Sequence, residues 1–185
     1  MGIPGYYARI TPAELDRARV DRVWRQNLVY ERWQAEQERR TGHAGRGRGT
    51  AGHHPNGPGL PASDPIEAAP IAIATDKAWM GIFFVLAQAG LRRDLVDGRP
   101  ISEEDEPPTP RFFSPSEVVE IADHLAGRSF AELVMAADPE AAVHQAGDWD
   151  DDARAFVSSH GEDLPAFFAG AAAAGDAVVV HIDLW

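Results

Sequence analysis

Ile3-Pro4-Gly5-Tyr6-Tyr7-Ala8-Arg9-Ile10-Thr11-Pro12-Ala13-Glu14 joins a strand to a helix within twelve residues. Residues 3–10 are short, aromatic and β-branched, the composition of a strand. Thr11-Pro12-Ala13-Glu14 is a capping box with proline at the first helical position, so a helix is expected to start there. It is expected to run to about Arg40 and to bury Leu15, Trp24, Leu28 and Trp33. The other end of the chain answers the first strand. Ala177-Val178-Val179-Val180-His181-Ile182 is the strongest strand in the sequence, and Gly175 ends the helical stretch before it.

Between these ends the chain reads mostly as helix. Asp76 follows Pro70-Ile71-Ala72-Ile73-Ala74-Thr75 and is expected to cap a helix. Trp79, Ile82, Phe83 and Leu86 share one face of it, Met80, Phe84 and Val85 fill the others, and Gly90 ends it. A short strand is expected over Asp94–Val96, before the turn Asp97-Gly98. Ser114-Pro115-Ser116-Glu117 is a second capping box, with Val118, Ile121, Ala122 and Leu125 on one face behind it and Gly127 as its stop. Ser129 opens a helix through Ala137, and Asp138-Pro139 opens a further turn or helix. Residues 150–174 are expected to be helical, with a break near Gly161 or Pro165. The sum is an α+β class, a mainly helical single domain with a small sheet that includes the N- and C-terminal strands.

Residues 42–66 break the pattern. Their glycines, prolines and the pair His53-His54 come with almost no apolar side chains, which predicts a flexible insertion. Glu103-Glu104-Asp105-Glu106 before Pro107-Pro108 reads as a solvated acidic loop.

Composition narrows the function classes. The chain has 185 residues, 44% of them hydrophobic, enough for a core, and a net charge of −12. Residues 1–50 hold ten arginines against six acids, a local +4 that leaves −16 on the rest. Nucleic acid and anionic membrane are disfavoured partners for such a field, whereas a basic protein suits it. No run approaches the ~20 apolar residues of a membrane span, and no secretory signal is visible, so a cytoplasmic protein is expected. Zero cysteines exclude disulfides and thiol nucleophiles among these residues.

Four short stretches, in order, resemble the YfbM-like proteins, a bacterial family of unknown function. They are Met1-Gly2-Ile3-Pro4-Gly5-Tyr6-Tyr7, Asp76-Lys77-Ala78-Trp79, Arg111-Phe112-Phe113-Ser114-Pro115-Ser116-Glu117-Val118 and Gly175-Asp176-Ala177-Val178-Val179. The likeness covers the chain apart from residues 42–66 and implies a compact α+β fold. Relatives commonly carry histidine four residues after the tryptophan of the second stretch, and often another directly after it. Here those positions are Phe83 and Met80.

The chemistry-bearing residues assemble no recognised motif. His124 has no partner at helical spacing, and His53-His54 would have to order its own segment to hold a metal, so no cofactor and no metal are expected. Asp148-Trp149-Asp150-Asp151-Asp152 lacks the alternation and glycine of a calcium loop and reads as an acid-enriched helix start. Ser158-Ser159-His160 specifies no triad. Two function classes remain. One is a non-catalytic cytosolic interaction domain that binds a basic partner, a cognate toxin being one concrete version, as with acidic immunity proteins. The other is an enzyme or small-ligand binder with a cleft near Asp76, Lys77, Trp79 and Arg111. Replacing Gly42–Pro65 by a short Gly-Ser joint is expected to leave Tm within a few degrees; a large cooperative loss in a thermal melt would show that the segment is packed.

Overall fold

Strand β1 (Gly5–Ile10) has a neighbour on each side, and the rest of the chain is arranged around it. The structure, a computed structural model, describes residues 5–46, 69–91, 98–102 and 110–182. Its other strands are β2 (Ala72–Asp76), β3 (Arg99–Pro100), β4 (Arg111–Phe113) and β5 (Ala177–Ile182). They form one antiparallel sheet in the order β2-β1-β5-β4-β3. The expected sheet of both chain ends plus middle strands is therefore present, and β5 lies beside β1 with Tyr7 opposite Val180 and Ile10 opposite Ala177. The segment expected to be a strand at Asp94–Val96 and the acidic run 103–106 lie outside the described residues.

Alternation divides the sheet into two buried faces. Tyr7, Ile73, Phe113, Val178 and Val180 face a core built with α3 (Trp79–Gln88), α4 (Pro115–Leu125), α5 (Phe130–Ala136), α7 (Asp151–Gly161) and α8 (Leu164–Ala174). The Tyr7 ring meets Phe167 and Phe168 edge to face, at 6.5 and 6.4 Å between centroids. Ala8, Ile10, Ala72, Phe112, Ala177 and Val179 face the opposite way, against Leu15, Ala18, Leu28 and Val29 of α1 (Pro12–Val20) and α2 (Arg22–Arg46). Helix α6 (Pro139–Ala146) completes the larger side, where Ala142 is buried.

Several helix starts follow the sequence. Thr11 and Ser114 form both expected capping boxes. Asp138 accepts from the amides of Glu140 and Ala141, and Asp150 from that of Ala153. The acid run at 148–152 is thus a helix start, as read. The break in the last helical stretch falls at residues 162–163, and Gly175 ends it with φ 69°.

The first helix differs from its expectation. It is two helices, broken at Asp21, and the second continues to Arg46. Asp21 leaves the helical region (φ −106°, ψ 92°) and its carboxylate accepts the Trp24 amide at 3.0 Å, which caps α2. That amide bond first, and the Arg17 contacts after it, hold the Asp21 carboxyl below its ordinary range. The break also changes the buried face. Leu28 and Val29 are covered, but so are Arg25 and Glu36, whereas Trp24 and Trp33 are only half-buried. Arg25 donates to the Ala18 carbonyl at the end of α1, an acceptor the helix itself leaves open. Trp24 lies under the Arg17 guanidinium, and Trp33 packs between Tyr6 and Tyr30. Residues 42–46 extend α2, so the Gly-rich insertion is helical at its first five positions; residues 47–66 lie outside the described residues.

Glu36 ties α2 to the start of β2. It is fully buried and accepts from Arg39 Nε and Nη2 at 3.0 and 2.6 Å, from Arg40 Nε at 3.0 Å and from the Ile71 amide at 3.4 Å. Burial pushes this carboxyl up, but the hydrogen bonds and the positive charge of Arg39 outweigh it and leave it below its usual value. A carboxylate depressed in the fold stabilises above its unfolded pKa and loses that contribution as pH falls through the folded one. Glu36→Gln is expected to cost about 1–3 kcal/mol at neutral pH, and its deficit against wild type should shrink as pH drops below the carboxylate range. Chemical denaturation at neutral and acid pH checks this; a deficit unchanged by pH would assign the loss to packing alone.

Candidate functional site

The four residues singled out in the sequence do not converge. Asp76, Lys77 and Trp79 lie together where β2 turns into α3. Arg111 lies on β4, separated from β2 by β1 and β5. Three strand spacings of about 4.8 Å put roughly 14 Å between these elements, and Arg111 Nη1 donates to the Gly98 carbonyl at 2.8 Å instead.

Asp76 does not cap a helix. Helix α3 begins at Trp79, with Ala78 before it and no side-chain cap. The reason lies in the bulge that ends β2. Gly5 pairs with Asp76 and Tyr6 with Ala74, which leaves Thr75 as an extra residue. Thr75 is buried, and its hydroxyl donates to the Gly5 carbonyl at 3.2 Å. A β-carbon on Gly5 would come within 2.7 Å of that hydroxyl, so glycine allows the close approach. The chain then turns through Asp76 in the left-handed region, φ 45°, the only non-glycine residue there among those described. The Ala78 amide closes the turn on the Thr75 carbonyl at 3.0 Å. Asp76 and Lys77 are exposed, and Trp79 is half-buried with its ring edge-on to Phe83 at 5.4 Å. Met80 is also exposed, so α3 is not covered all round.

A concave site lies elsewhere, at the end of β1. A pocket of about 360 Å³ is lined by Arg9, Thr11, Glu14, Arg32, Ile71 and Asp176. Two ion pairs from opposite layers meet there. Arg9 shares its strand face with Tyr7 and reaches over α8, where a β-carbon on Gly170 would come within 2.9 Å of its Nη1. Its Nε and Nη2 both donate to Oδ2 of Asp176, at 3.1 and 3.0 Å, and each side chain is only 14% exposed. From the other layer, Arg32 of α2 pairs with Oε1 of Glu14, whose Oε2 serves the capping box of α1. Ile71 is held between them, its carbonyl accepting the Arg9 amide at 2.9 Å.

These partners were beyond sequence reading, since Arg9 and Asp176 are 167 residues apart. The signals that existed were an arginine inside an otherwise apolar strand and an acid just before the last one.

The surface offers a third arrangement. Residues 129–163, which form α5, α6 and α7, hold nine carboxylates and one arginine, −8 of the chain's −12. Arg154 pairs with Asp151, and Asp163 with Arg40 at 2.8 Å. The same helices expose Met135, Val143 and Phe156, at 71%, 56% and 38%. His160 packs on Phe156, and its Nδ1 lies 3.2 Å from Ser159 Oγ and 2.9 Å from the Phe156 carbonyl. That carbonyl is also bonded by Ser159, so serine and histidine share a backbone acceptor besides their contact with each other. Among the described residues, no group of three or more His, Asp or Glu could hold a metal ion, and no helix is long and apolar enough to cross a membrane.

Helices on both faces of a small antiparallel sheet define an α+β protein with two ion pairs at the sheet end and much of its net charge along α5, α6 and α7. The chain belongs to the family described as a domain of unknown function, DUF1877, whose model matches residues 1–181. That is an uncharacterised family, as the YfbM-like resemblance implied. No curated protein and no solved structure matches the chain.

The turn at Asp76 separates two accounts of this residue. In a left-handed turn, glycine fits freely, whereas a β-carbon without a compensating side chain costs about 1–2 kcal/mol. Asp76→Gly is therefore expected to keep or raise Tm, and Asp76→Ser to lower stability by about 1 kcal/mol. A capping role would give the opposite order, with serine neutral, and thermal melts of the two variants decide between them.

Proposed function

We propose that this protein is a non-catalytic cytoplasmic interaction domain whose α5–α7 face binds a basic protein partner. The observation that carries the reading is the coincidence, on three consecutive helices, of most of the net charge with three exposed apolar side chains. Solubility alone would be served by scattered carboxylates. Exposed methionine and aromatic side chains are instead the kind of group that anchors an interface, while carboxylates around them speed encounter with a cationic partner and exclude anionic ones. A small toxin or another arginine- and lysine-rich protein has the required chemistry. A second reading, a small-ligand binder, draws support from the pocket at Arg9 and Asp176 rather than from the residues around Asp76.

Electrostatic binding of this kind weakens with salt, because screening shortens to about 8 Å at physiological ionic strength. Asp148→Asn/Asp152→Asn/Glu162→Gln removes three exposed charges and leaves the capping carboxylates of Asp138 and Asp150 in place. Its stability should stay within about 0.5 kcal/mol of wild type. A basic partner isolated from the native host on wild-type protein should bind this variant at least about tenfold more weakly, a loss of roughly 1.4 kcal/mol. Wild-type affinity should fall as salt is added. Equal affinity for both proteins, or no salt dependence, would remove the acidic face from the interaction.

A further inference from the structure

Two half-buried ion pairs around an open pocket are an expensive way to close the end of a sheet. Desolvating a charge is costly even when it is paired, and apolar side chains would close the same space without that cost. The pairs are also incomplete. Both bonds from Arg9 go to one oxygen of Asp176, so among the described residues the Oδ1 of Asp176 and the Nη1 of Arg9 make no hydrogen bond. Among the described residues Arg32 bonds through Nη2, to Glu14, which leaves its Nε and Nη1. The pocket thus offers a spare carboxylate oxygen from one layer and spare guanidinium donors from both, with charges that sum to zero.

We infer that this pocket is a binding site for a small zwitterion of amino-acid size. A simple anion or cation gains little from a site with no net charge, since each attraction comes with a matching repulsion. A molecule carrying an ammonium and a carboxylate a few bonds apart meets both signs at once. Its carboxylate takes the free guanidinium edges of Arg32 and Arg9, the charge-assisted geometry that arginine favours. Its ammonium takes Asp176 Oδ1, with Glu14 nearby. Ile71, held by the Arg9 amide and the Glu36 carboxylate, supplies a fixed apolar wall for the ligand's own side chain. The volume of about 360 Å³ lies near the lower end of the roughly 300–1,000 Å³ usual for ligand pockets, which suits a molecule this small. The site is independent of the acidic helical face, and either assignment can fail without the other.

The test uses the whole protein and a panel of free L-amino acids at millimolar concentration, with sodium acetate and methylammonium chloride as single-charge controls. At least one amino acid is expected to raise Tm by roughly 3–6 °C at about ten times its Kd, with one site by titration calorimetry. Arg32→Gln and Asp176→Asn, each checked for folding by circular dichroism, should weaken that binding at least about tenfold. A merely structural ion pair would lower Tm in the variants and leave the ligand-induced shift unchanged. No shift with any amino acid, an equal shift with acetate or methylammonium alone, or unchanged affinity in a folded variant overturns the assignment. If neither variant folds, the comparison of zwitterion with single charges on wild-type protein decides.

Discussion

A sheet covered on both faces tolerates no slip of its middle strand, and that constraint on β1 governs the rest of the molecule. Moving β1 by one residue against β2 and β5 would turn Tyr7 toward α1 and α2 and bring Arg9 to the place of Ala8 in the apolar layer. In the register that forms, Tyr7 seats on Phe167 and Phe168 while Ala8 and Ile10 leave room for two helices behind. Arg9 then has one outlet, the open end of the strand, where Asp176 precedes β5. The ion pair and the pocket beside it follow from the parity of a single strand.

Local chemistry carried most of the fold. Thr11-Pro12-Ala13-Glu14 and Ser114-Pro115-Ser116-Glu117 announced their helices because a capping box is complete within four residues. Gly175 announced the end of α8 for a similar reason, since a left-handed terminus is nearly a glycine property. Asp21 was legible only in hindsight. An aspartate between two apolar-periodic runs fits a surface position as well as a cap, and only the Trp24 amide separates the two. At Asp76 the capping rule pointed two residues too early, because the bulge at Thr75 takes up part of the chain before α3 starts. The candidate site was less legible still. Asp76, Lys77 and Trp79 were grouped by adjacency, and Arg111 was added by chemistry; strand order, which no local signal encodes, sets Arg111 apart from the other three. The same ordering assembles Arg9, Glu14, Arg32 and Asp176 from three elements and the turn before β5.

Charges sort into two kinds by where they sit. At the sheet end they are buried and matched, and Glu36 shows the pattern at its fullest, with two guanidinia and a backbone amide on one carboxylate. Arg40 extends it outward to Asp163; that bond and the Glu36 contact outweigh burial and raise the affinity of its guanidinium for its proton. On α5 to α7 the carboxylates are exposed and far outnumber the one arginine among them. The first kind is spent on holding α2 against β2. The second is only partly engaged in the isolated chain, by the caps at Asp138 and Asp150 and the ion pairs of Asp151 and Asp163, which is why it is the better place to look for a partner.

Because β5 separates β1 from β4 and β3, the sheet is interleaved in time as well as in space. A ribosome adding roughly 5–20 residues per second releases β1 long before β5 is made. With more than 160 residues between Arg9 and Asp176, the first strand waits on the order of ten to thirty seconds for its partner. During that interval β1 has only β2 to pair with, and the apolar sides of the early helices face an incomplete sheet. Translation that stops before β5 leaves nothing to pair with β1 on that side, so truncated products should go to proteases rather than persist as partly working fragments.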